Sequence, residues 1–147
     1  MGRLTLPPSG SVAVDANVVI YAVQGDSAYE PLLRPLWRAL WAGSITVVCS
    51  ELLLCEVLTG ALKNDDARLA EAFEAFLASP GWELLPISRE ILRNAARLRA
   101  SLRLRTPDAI HAATALRAGC AMFLTNDPHF RRVPDLPVTI LDEVLAA

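Results

Sequence analysis

Four acidic residues stand where a carboxylate is costly unless something stabilises its charge. Asp15 and Asp127 each follow a short, mainly apolar run, VAV and MFLTN, of the kind found in buried strands. Glu56 is the only charged residue in the helical stretch LLLCEVLTGAL, and Asp108 follows the proline that opens the apolar helix TPDAIHAATAL. Burying an unpaired carboxylate is strongly unfavourable. These four acids are therefore the candidates for chemistry.

Each acid also has an ordinary structural explanation. Asp15 is a favoured residue for capping the helix that follows it, and Asp127 precedes a proline, as in a common turn. The dipole of its helix would stabilise Asp108, and Glu56 could reach water at the edge of its helix. The four acids together are more informative than any one of them.

Convergence of these acids would create a cation site. In a sheet whose strands alternate with helices, strand ends and helix starts share one edge, which would bring Asp15, Asp108 and Asp127 together. Crowded carboxylates cannot all stay ionised without a cation. Carboxylates and water hold Mg2+ or Mn2+, which act on phosphate esters by neutralising charge and activating water. We therefore expect a divalent metal site that serves phosphate chemistry.

Alternating strands and helices are the elements that would position these acids. The apolar patterns predict strands at residues 11–14, 45–49, 82–86, 121–124 and 138–141. They predict helices at residues 32–41, 51–62, 66–78, 89–102 and 106–118, and a short helix or turn at residues 16–23. This order indicates an α/β fold, a three-layer α/β/α domain with a mainly parallel five-stranded sheet covered on both faces.

Length and composition are those of one soluble domain. The 147 residues, 53% of them hydrophobic, are enough for a single large core. No apolar run reaches the roughly 18 residues of a membrane helix, and the first residues lack the apolar segment of a secretory signal. The three cysteines form no C-x-x-C pair, which indicates reduced core residues. We expect a single domain over residues 1–147, cytoplasmic and without membrane contact.

The net charge of −2 hides a strong asymmetry. Residues 89–132 hold nine arginines and three acids, a net charge of +6, whereas the remainder holds five basic and thirteen acidic residues, a net charge of −8. Six of the arginines lie on one predicted helix and its exit. This stripe could attract a polyanion, and a solvated helix face is an equally weighted alternative.

Four segments, in order along the chain, resemble the PIN-domain ribonucleases, and particularly the small VapC-type toxins of toxin-antitoxin pairs. The segments are VAVDANVVIYAV, SELLLCEVLTG, TPDAIHAATAL and FLTNDPHF, and they span nearly the whole chain. The resemblance implies a five-stranded parallel sheet with its first strand central. It also implies Mg2+-dependent RNA cleavage, a homodimer, and inhibition by a cognate VapB-type antitoxin.

The resemblance further implies roles for particular residues. The catalytic and metal-binding acids would be Asp15, Glu56, Asp108 and Asp127, and the supporting polar residues would be Thr125 and Asn126. The arginine-rich helix lies outside the resemblance, so its role is inferred from charge alone. On that ground the candidates for RNA contacts are Arg93, Arg97, Arg103 and Arg105.

Two other functions compete with RNA cleavage. A PIN-like domain that binds RNA or protein without cutting is disfavoured because all four acids are present. A dehalogenase-type phosphatase would need a second Asp two residues after Asp15, where Asn17 stands. His111 and His129 are expected to be structural, because a metal can generate hydroxide without a histidine base.

Overall fold

The strands form one parallel sheet with the first strand at its centre. The computed structural model describes residues 2–147, and within them five parallel strands lie in the order β3-β2-β1-β4-β5. The strands are β1 Ser11–Val14, β2 Thr46–Ser50, β3 Trp82–Leu85, β4 Met122–Thr125 and β5 Val138–Ile140. Ala13 of β1 lies opposite Val48 of β2 and Phe123 of β4. The α/β class, the parallel sheet and the central first strand are confirmed.

Helices cover both faces of this sheet. The seven α-helices of residues 2–147 are α1 Ala16–Gln24, α2 Glu30–Trp41, α3 Leu52–Lys63, α4 Ala67–Leu77, α5 Arg89–Leu102, α6 Thr106–Ala118 and α7 Leu141–Ala146. Val12 and Val14 pack in a core with α1, α2, α3, α4 and α7, whereas Ala13 packs in a second core with α5 and α6. Successive side chains of a strand point to opposite faces, which produces the three layers.

The site depends most on β1, α1 and α6. β1 runs directly into α1, so the single residue between them stands at the carboxyl edge of the sheet. α6 has a proline in its first turn and ends at Gly119, whose φ of 63° is readily adopted by glycine. Its residues from Asp108 to Ala115 are all buried, so its first turn is held firmly against the sheet.

The structure differs from the sequence prediction at several places. The strand expected at residues 138–141 ends at Ile140, and Leu141 begins α7, which was not predicted. A short 3-10 helix, Pro128–Arg132, lies in the segment expected to be a loop. Cys55, expected in the core, is exposed, because it lies on the outer side of α3. Trp41, the last residue of α2, is 65% exposed.

The third strand, predicted at residues 82–86, is confirmed at Trp82–Leu85, and it lies at the edge of the sheet. Trp82 packs against Trp37 at a ring-centroid distance of 6.0 Å and against Phe76 at 5.4 Å. These partners lie on α2 and α4, so they stabilise β3 through contacts distant in sequence. None of the helices formed by residues 2–147 combines the length and apolarity needed to cross a membrane.

Candidate active site

Asp15 lies between β1 and α1, at the carboxyl end of the central strand. Its backbone N–H donates to the Leu124 carbonyl at 3.0 Å, which continues the pairing of β1 with β4. One carboxylate oxygen accepts from the Ala16 N–H at 2.8 Å, and the other accepts from the Thr125 hydroxyl at 2.9 Å. Asp15 therefore caps α1, as an ordinary Asp would, and also faces β4.

The charge of Asp15 is only partly compensated by the protein. Burial raises the pKa of Asp15, and the charge of Glu56 adds to the rise, while the charge of His111 and hydrogen bonds from Thr125 and Ala16 oppose it. Asp15 forms no salt bridge with any residue from 2 to 147. A nearly buried carboxylate in this state suits a cation ligand, because the cation would offset the cost of desolvation.

Glu56 and His111 join helices α3 and α6 beside Asp15. Nε2 of His111 lies 2.5 Å from Oε1 of Glu56, and the side chains are 1% and 32% exposed, respectively. Burial lowers the pKa of His111, but the hydrogen bond to Glu56 and the charges of Glu56, Asp15 and Asp108 outweigh it and raise the pKa above its usual value. The shift favours the protonated form of His111, and its ring holds the Glu56 carboxylate through the Nε2–Oε1 contact.

Asp108 lies in the first turn of α6 and meets Arg105, the residue that precedes this helix. Nε of Arg105 donates to Oδ2 of Asp108 at 3.2 Å. The Asp108 side chain is 13% exposed, whereas that of Arg105 is 79% exposed. The hydrogen bond to Asp108 and the charges of Asp108, Asp127 and Glu56 raise the pKa of Arg105. Arg105 therefore lies within the electrostatic field of three of the four acids.

Asp127 and Thr125 connect the end of β4 to the end of β1. The Asp127 N–H donates to the Thr125 hydroxyl oxygen at 2.9 Å, and that hydroxyl donates to Asp15. Oδ1 of Asp127 accepts from the His129 backbone N–H and lies 2.9 Å from its ring nitrogen Nδ1. Asp127 therefore caps the 3-10 helix, which is the turn role considered for it from the sequence.

Asn126, predicted as a supporting polar residue, forms its side-chain hydrogen bonds with residues other than the four acids. Its side-chain amide donates to the Tyr21 hydroxyl at 3.0 Å, and its carbonyl oxygen accepts from the Asp142 N–H at 2.8 Å. These bonds tie β4 to α1 and α7. Asn126 therefore positions the surrounding helices, while Thr125 is the polar residue that contacts the acids.

The acids share one electrostatic environment without forming a ready-made metal site. His111 is influenced by Asp15, Glu56 and Asp108, and Arg105 by Glu56, Asp108 and Asp127. In the part of the chain that the structure describes, no three His, Cys, Asp or Glu side chains are arranged to hold a metal ion. Glu56, Asp108 and Asp127 are each paired with a histidine or an arginine. The donor set is nevertheless made of carboxylates, which suits a hard divalent cation such as Mg2+.

Two of the four predicted RNA-contacting arginines lie beside the acids. Arg103 and Arg105 contribute to a cavity of about 170 Å3 that we call the arginine cleft, lined by Arg103, Leu104, Arg105, Asp108, His129 and Arg132. Arg97 instead donates to Asn94 at 2.8 Å and lines a separate groove with Arg117. At 1.5 Å per residue, Arg117 lies roughly 14 Å along α6 from Asp108. Arg93 is an exposed residue of α5.

The sequence pattern missed Arg132 as a member of this cleft. It follows Asp127 by only five residues, so its proximity to a candidate acid was a usable signal. Its place in the cleft depends on the 3-10 helix Pro128–Arg132, which brings it toward the loop between α5 and α6.

Comparison with known proteins identifies one family model and several similar structures. The model described as PIN domain matches residues 12–136. VapBC2 from Rickettsia felis, bound to a promoter DNA fragment, has a TM-score of 0.70 at 21% identity over 88% of this chain and 98% of that chain. DNA-bound VapBC from Salmonella typhimurium has a TM-score of 0.69 at 19% identity over 89% and 98%.

A toxin structure shows the same fold. VapC20 of Mycobacterium tuberculosis, a sarcin-ricin loop cleaving toxin, has a TM-score of 0.67 at 18% identity over 82% of this chain and 92% of that chain. No curated protein matches the chain. At these identities the structural similarity establishes the fold.

Proposed function

Because the chain belongs to the PIN domain family, we propose that it is a metal-dependent endoribonuclease that acts as the toxin of a type II toxin-antitoxin pair. The family membership and the VapBC-like fold support a nuclease toxin. The choice of RNA as substrate is supported by VapC20, which has the same fold and cleaves the sarcin-ricin loop.

The state of Asp15 is the observation that carries this proposal. It is 8% exposed at the carboxyl end of the central strand. Its pKa is raised mainly by burial, and it forms no salt bridge among residues 2–147. A purely capping Asp gains nothing from such burial, because desolvation disfavours its charged form. A cation ligand does gain, because a dry site strengthens the attraction between carboxylate and metal.

Four acids would hold Mg2+ or Mn2+ in this proposal: Asp15, Glu56, Asp108 and Asp127. When bound, the metal would neutralise charge on the scissile phosphate and lower the pKa of the attacking water. Asp15 and Asp108 would be the principal ligands, because they are the most deeply buried of the four acids.

Other residues of the chain would orient these acids. Thr125 holds one oxygen of Asp15, and His111 holds one oxygen of Glu56. Arg105 holds Oδ2 of Asp108 and extends its guanidinium into solvent, where it can meet an RNA phosphate. The charge of Arg105, and that of His111 in its protonated form, would reduce the repulsion between the acids and RNA. Each orienting bond joins two separate elements or a helix to its preceding loop, so the folded domain sets the geometry.

The partners in this proposal are an antitoxin and a second copy of the chain. A VapB-type antitoxin would place a basic side chain among the acids, since a charge-assisted pair can replace the metal there. A homodimer is expected from the resemblance. RNA as substrate implies action in the cytoplasm. Co-expression with the protein of the adjacent short reading frame should suppress toxicity and yield a complex, whereas a neighbour that neither binds nor protects would contradict the toxin role.

A cleavage assay with a metal-binding control tests the nuclease proposal. Purified protein should cleave single-stranded RNA with Mg2+ or Mn2+ and stop in excess EDTA. Mn2+ at 100 times its Kd should raise the free energy of unfolding by about 2.7 kcal/mol. Asp15→Asn should abolish this increase, and Asp65→Asn, at an exposed acid after α3, should preserve it. Undiminished cleavage in EDTA would refute the metal requirement.

A PIN-like domain that binds without cutting is the second candidate. It is favoured by one observation, that Glu56, Asp108 and Asp127 are each paired with a basic residue. The same assay separates the two functions. Metal-independent RNA binding, with neither cleavage nor stabilisation by Mn2+, would support the non-catalytic role.

A further inference from the structure

The arginine cleft concentrates positive charge next to the acidic site. Three arginines and one histidine line a volume of about 170 Å3, together with the single carboxylate of Asp108. Asp108 belongs to both the cleft and the acidic site, so an anion in the cleft would lie beside the acids. We propose that the arginine cleft binds the backbone phosphate next to the scissile phosphate of a bound RNA strand. This inference rests on the proposed RNA-cleaving function and adds a substrate subsite to it.

Two of the cleft's cations are available to a ligand. Arg103 and Arg132 form neither a side-chain hydrogen bond nor a salt bridge with the described residues 2–147. Elsewhere on the surface, arginines pair with carboxylates in Arg34–Glu30, Arg117–Glu90 and Arg131–Glu143. Arg131 and Arg132 are neighbours in sequence, yet only the first meets an acid. Within the described part of the chain, the guanidinium of Arg132 is therefore left without a carboxylate partner in the cleft.

The backbone at Arg103 supports a functional role for its side chain. Arg103 ends α5 with a φ of 54° and a ψ of 38°, in the left-handed region. Glycine usually fills this position because it has no Cβ to clash, and Gly25 and Gly119 fill it at the ends of α1 and α6. An arginine is therefore strained here. Strained non-glycine residues cluster at functional sites.

The loop that presents the arginines is firmly held. Nε of Arg99 donates to the Leu104 carbonyl at 3.2 Å. The Leu104 side chain is 5% exposed and packs in the core beneath α5 and α6. These contacts anchor the three residues between the two helices. The guanidiniums of Arg103 and Arg105 therefore project from a fixed backbone, which reduces the entropy lost when they bind an anion.

The chemistry of the lining favours a phosphate over a base. RNA bases are commonly recognised by stacking on aromatic side chains, and His129 is the only ring that lines the arginine cleft. Guanidinium groups instead match phosphate oxygens through paired N–H donors. The positive end of the α6 dipole opens at Thr106 beside the cleft and adds to the attraction. The cleft should therefore read the RNA backbone rather than its sequence.

Substitutions within the cleft test this inference without relying on cleavage. The affinity of full-length protein for a short single-stranded RNA is measured in EDTA at several salt concentrations. We expect Arg132→Gln and Arg103→Gly each to weaken binding by about tenfold, the scale of one charge-assisted hydrogen bond. The slope of log affinity against log salt should fall by about 0.7 for the lost phosphate contact. Arg38→Gln removes the same charge at the far end of α2 and should change neither quantity.

Arg103→Gly also separates ligand binding from folding. Glycine relieves the left-handed strain, so this variant should melt no lower than the wild type while it loses RNA affinity. Arg103→Lys should restore part of the affinity through its charge. A neutral methylphosphonate linkage is placed in turn at each RNA position. At one RNA position, the methylphosphonate linkage should weaken binding to the wild-type protein about as much as Arg132→Gln does. At that same position, the linkage should weaken binding to the Arg132→Gln variant little further, because the phosphate contact is already lost.

The outcomes also distinguish failure of the subsite from failure of the proposed function. Wild-type affinity in both cleft variants would overturn the subsite, even if the protein cleaves RNA normally. Loss of RNA affinity confined to the cleft variants would support phosphate binding by the cleft, and absence of cleavage in the same preparation would then overturn only the proposed nuclease function. Loss of affinity for an acidic protein partner, with unchanged RNA affinity, would overturn the RNA assignment in favour of a carboxylate ligand.

Discussion

The hydroxyl of Thr125 donates to the carboxylate of Asp15 at 2.9 Å, across a sequence separation of 110 residues. The same hydroxyl oxygen accepts from the Asp127 N–H at 2.9 Å. Thr125 is fully buried, so a single side chain positions acids at the ends of both β1 and β4. The geometry of the candidate active site therefore depends on the pairing of two strands that are distant in sequence.

Thr125→Val removes this hydroxyl while it keeps the size of the side chain. The free energy of unfolding should fall by about 1–3 kcal/mol, because a buried carboxylate loses a donor and the Asp127 N–H loses its acceptor. RNA cleavage should fall as well, because Asp15 is no longer oriented. Urea denaturation and a cleavage assay measure the two effects. Thr114→Val is the matched control, since that buried hydroxyl only donates to the Ile110 carbonyl within α6. Equal effects of the two substitutions would contradict the orienting role.

Asp15→Asn separates a metal ligand from a helix cap. Asn caps helices about as well as Asp, so a purely capping role predicts little change in stability or cleavage. If Asp15 binds metal, cleavage should fall by orders of magnitude while the melting temperature holds or rises, because a buried charge is removed. RNA affinity in EDTA should hold or tighten, since the phosphate meets one negative charge fewer. Wild-type cleavage by a well-folded variant would refute the assignment, and a collapsed melting temperature would make Asp15 chiefly structural.

The hydrogen bond between Tyr29 and Asp142 predicts that the stability of the junction with α7 depends on pH. The Tyr29 hydroxyl donates to Oδ1 of Asp142, and mainly this bond raises the pKa of Tyr29 from 10.0 to about 12. The protonated phenol is the stabilised form, so its contribution is complete below the ordinary pKa and is lost as the pH rises through about 12. Asp142→Asn should move the pKa back toward 10.0.

Ultraviolet absorbance during titration measures this shift. The chain has two tyrosines, so Tyr21→Phe leaves Tyr29 as the only one. Phenylalanine at this position preserves the ring stacking between residues 21 and 29, whose centroids lie 4.0 Å apart. The same titration midpoint with and without Asp142→Asn would show that the bond does not persist in solution.

Gly60→Ala should stabilise the protein. Gly60 lies inside α3, and a Cβ added there would meet nothing within 4 Å. Alanine is favoured over glycine in helix interiors by roughly 0.5–1 kcal/mol, which urea denaturation can resolve. Gly119→Ala provides the contrast. A Cβ there is equally free of contacts, but the φ of 63° strains alanine, so this variant should be destabilised. Destabilisation by Gly60→Ala would show that the position needs glycine for another reason.

The sequence alone determined most of the elements that surround the site. β1 and β2 are short apolar runs that read as buried strands, and α6 begins at Thr106 and stops before Gly119, as predicted. These features depend on local rules, since capping, turns and periodicity involve residues within about one helical turn of each other. The placement of Asp15 after a strand and Asp108 in the first turn of a helix followed for the same reason.

Only the tertiary structure decided how the acids are partnered. The bonds from Thr125 to Asp15 and between His111 and Glu56 cross 110 and 55 positions of sequence, respectively. No local pattern specifies them, because they depend on which strands are neighbours and on how α3 meets α6. The same holds for the bonds of Asn126 to the Tyr21 hydroxyl and the Asp142 N–H, which cross 105 and 16 positions, respectively.

The arginines show the same division between local and long-range information. Their enrichment in residues 89–132 was visible in the sequence as a positive stripe. The fold divides this stripe: Arg97 lies toward the far end of α6, while Arg103 and Arg105 join Arg132 beside Asp108. Charge composition is a sum over residues and does not say where on the folded surface each charge lies. The positions are set when the core of α5, α6 and the 3-10 helix packs, because that packing fixes the backbone from which each arginine side chain extends.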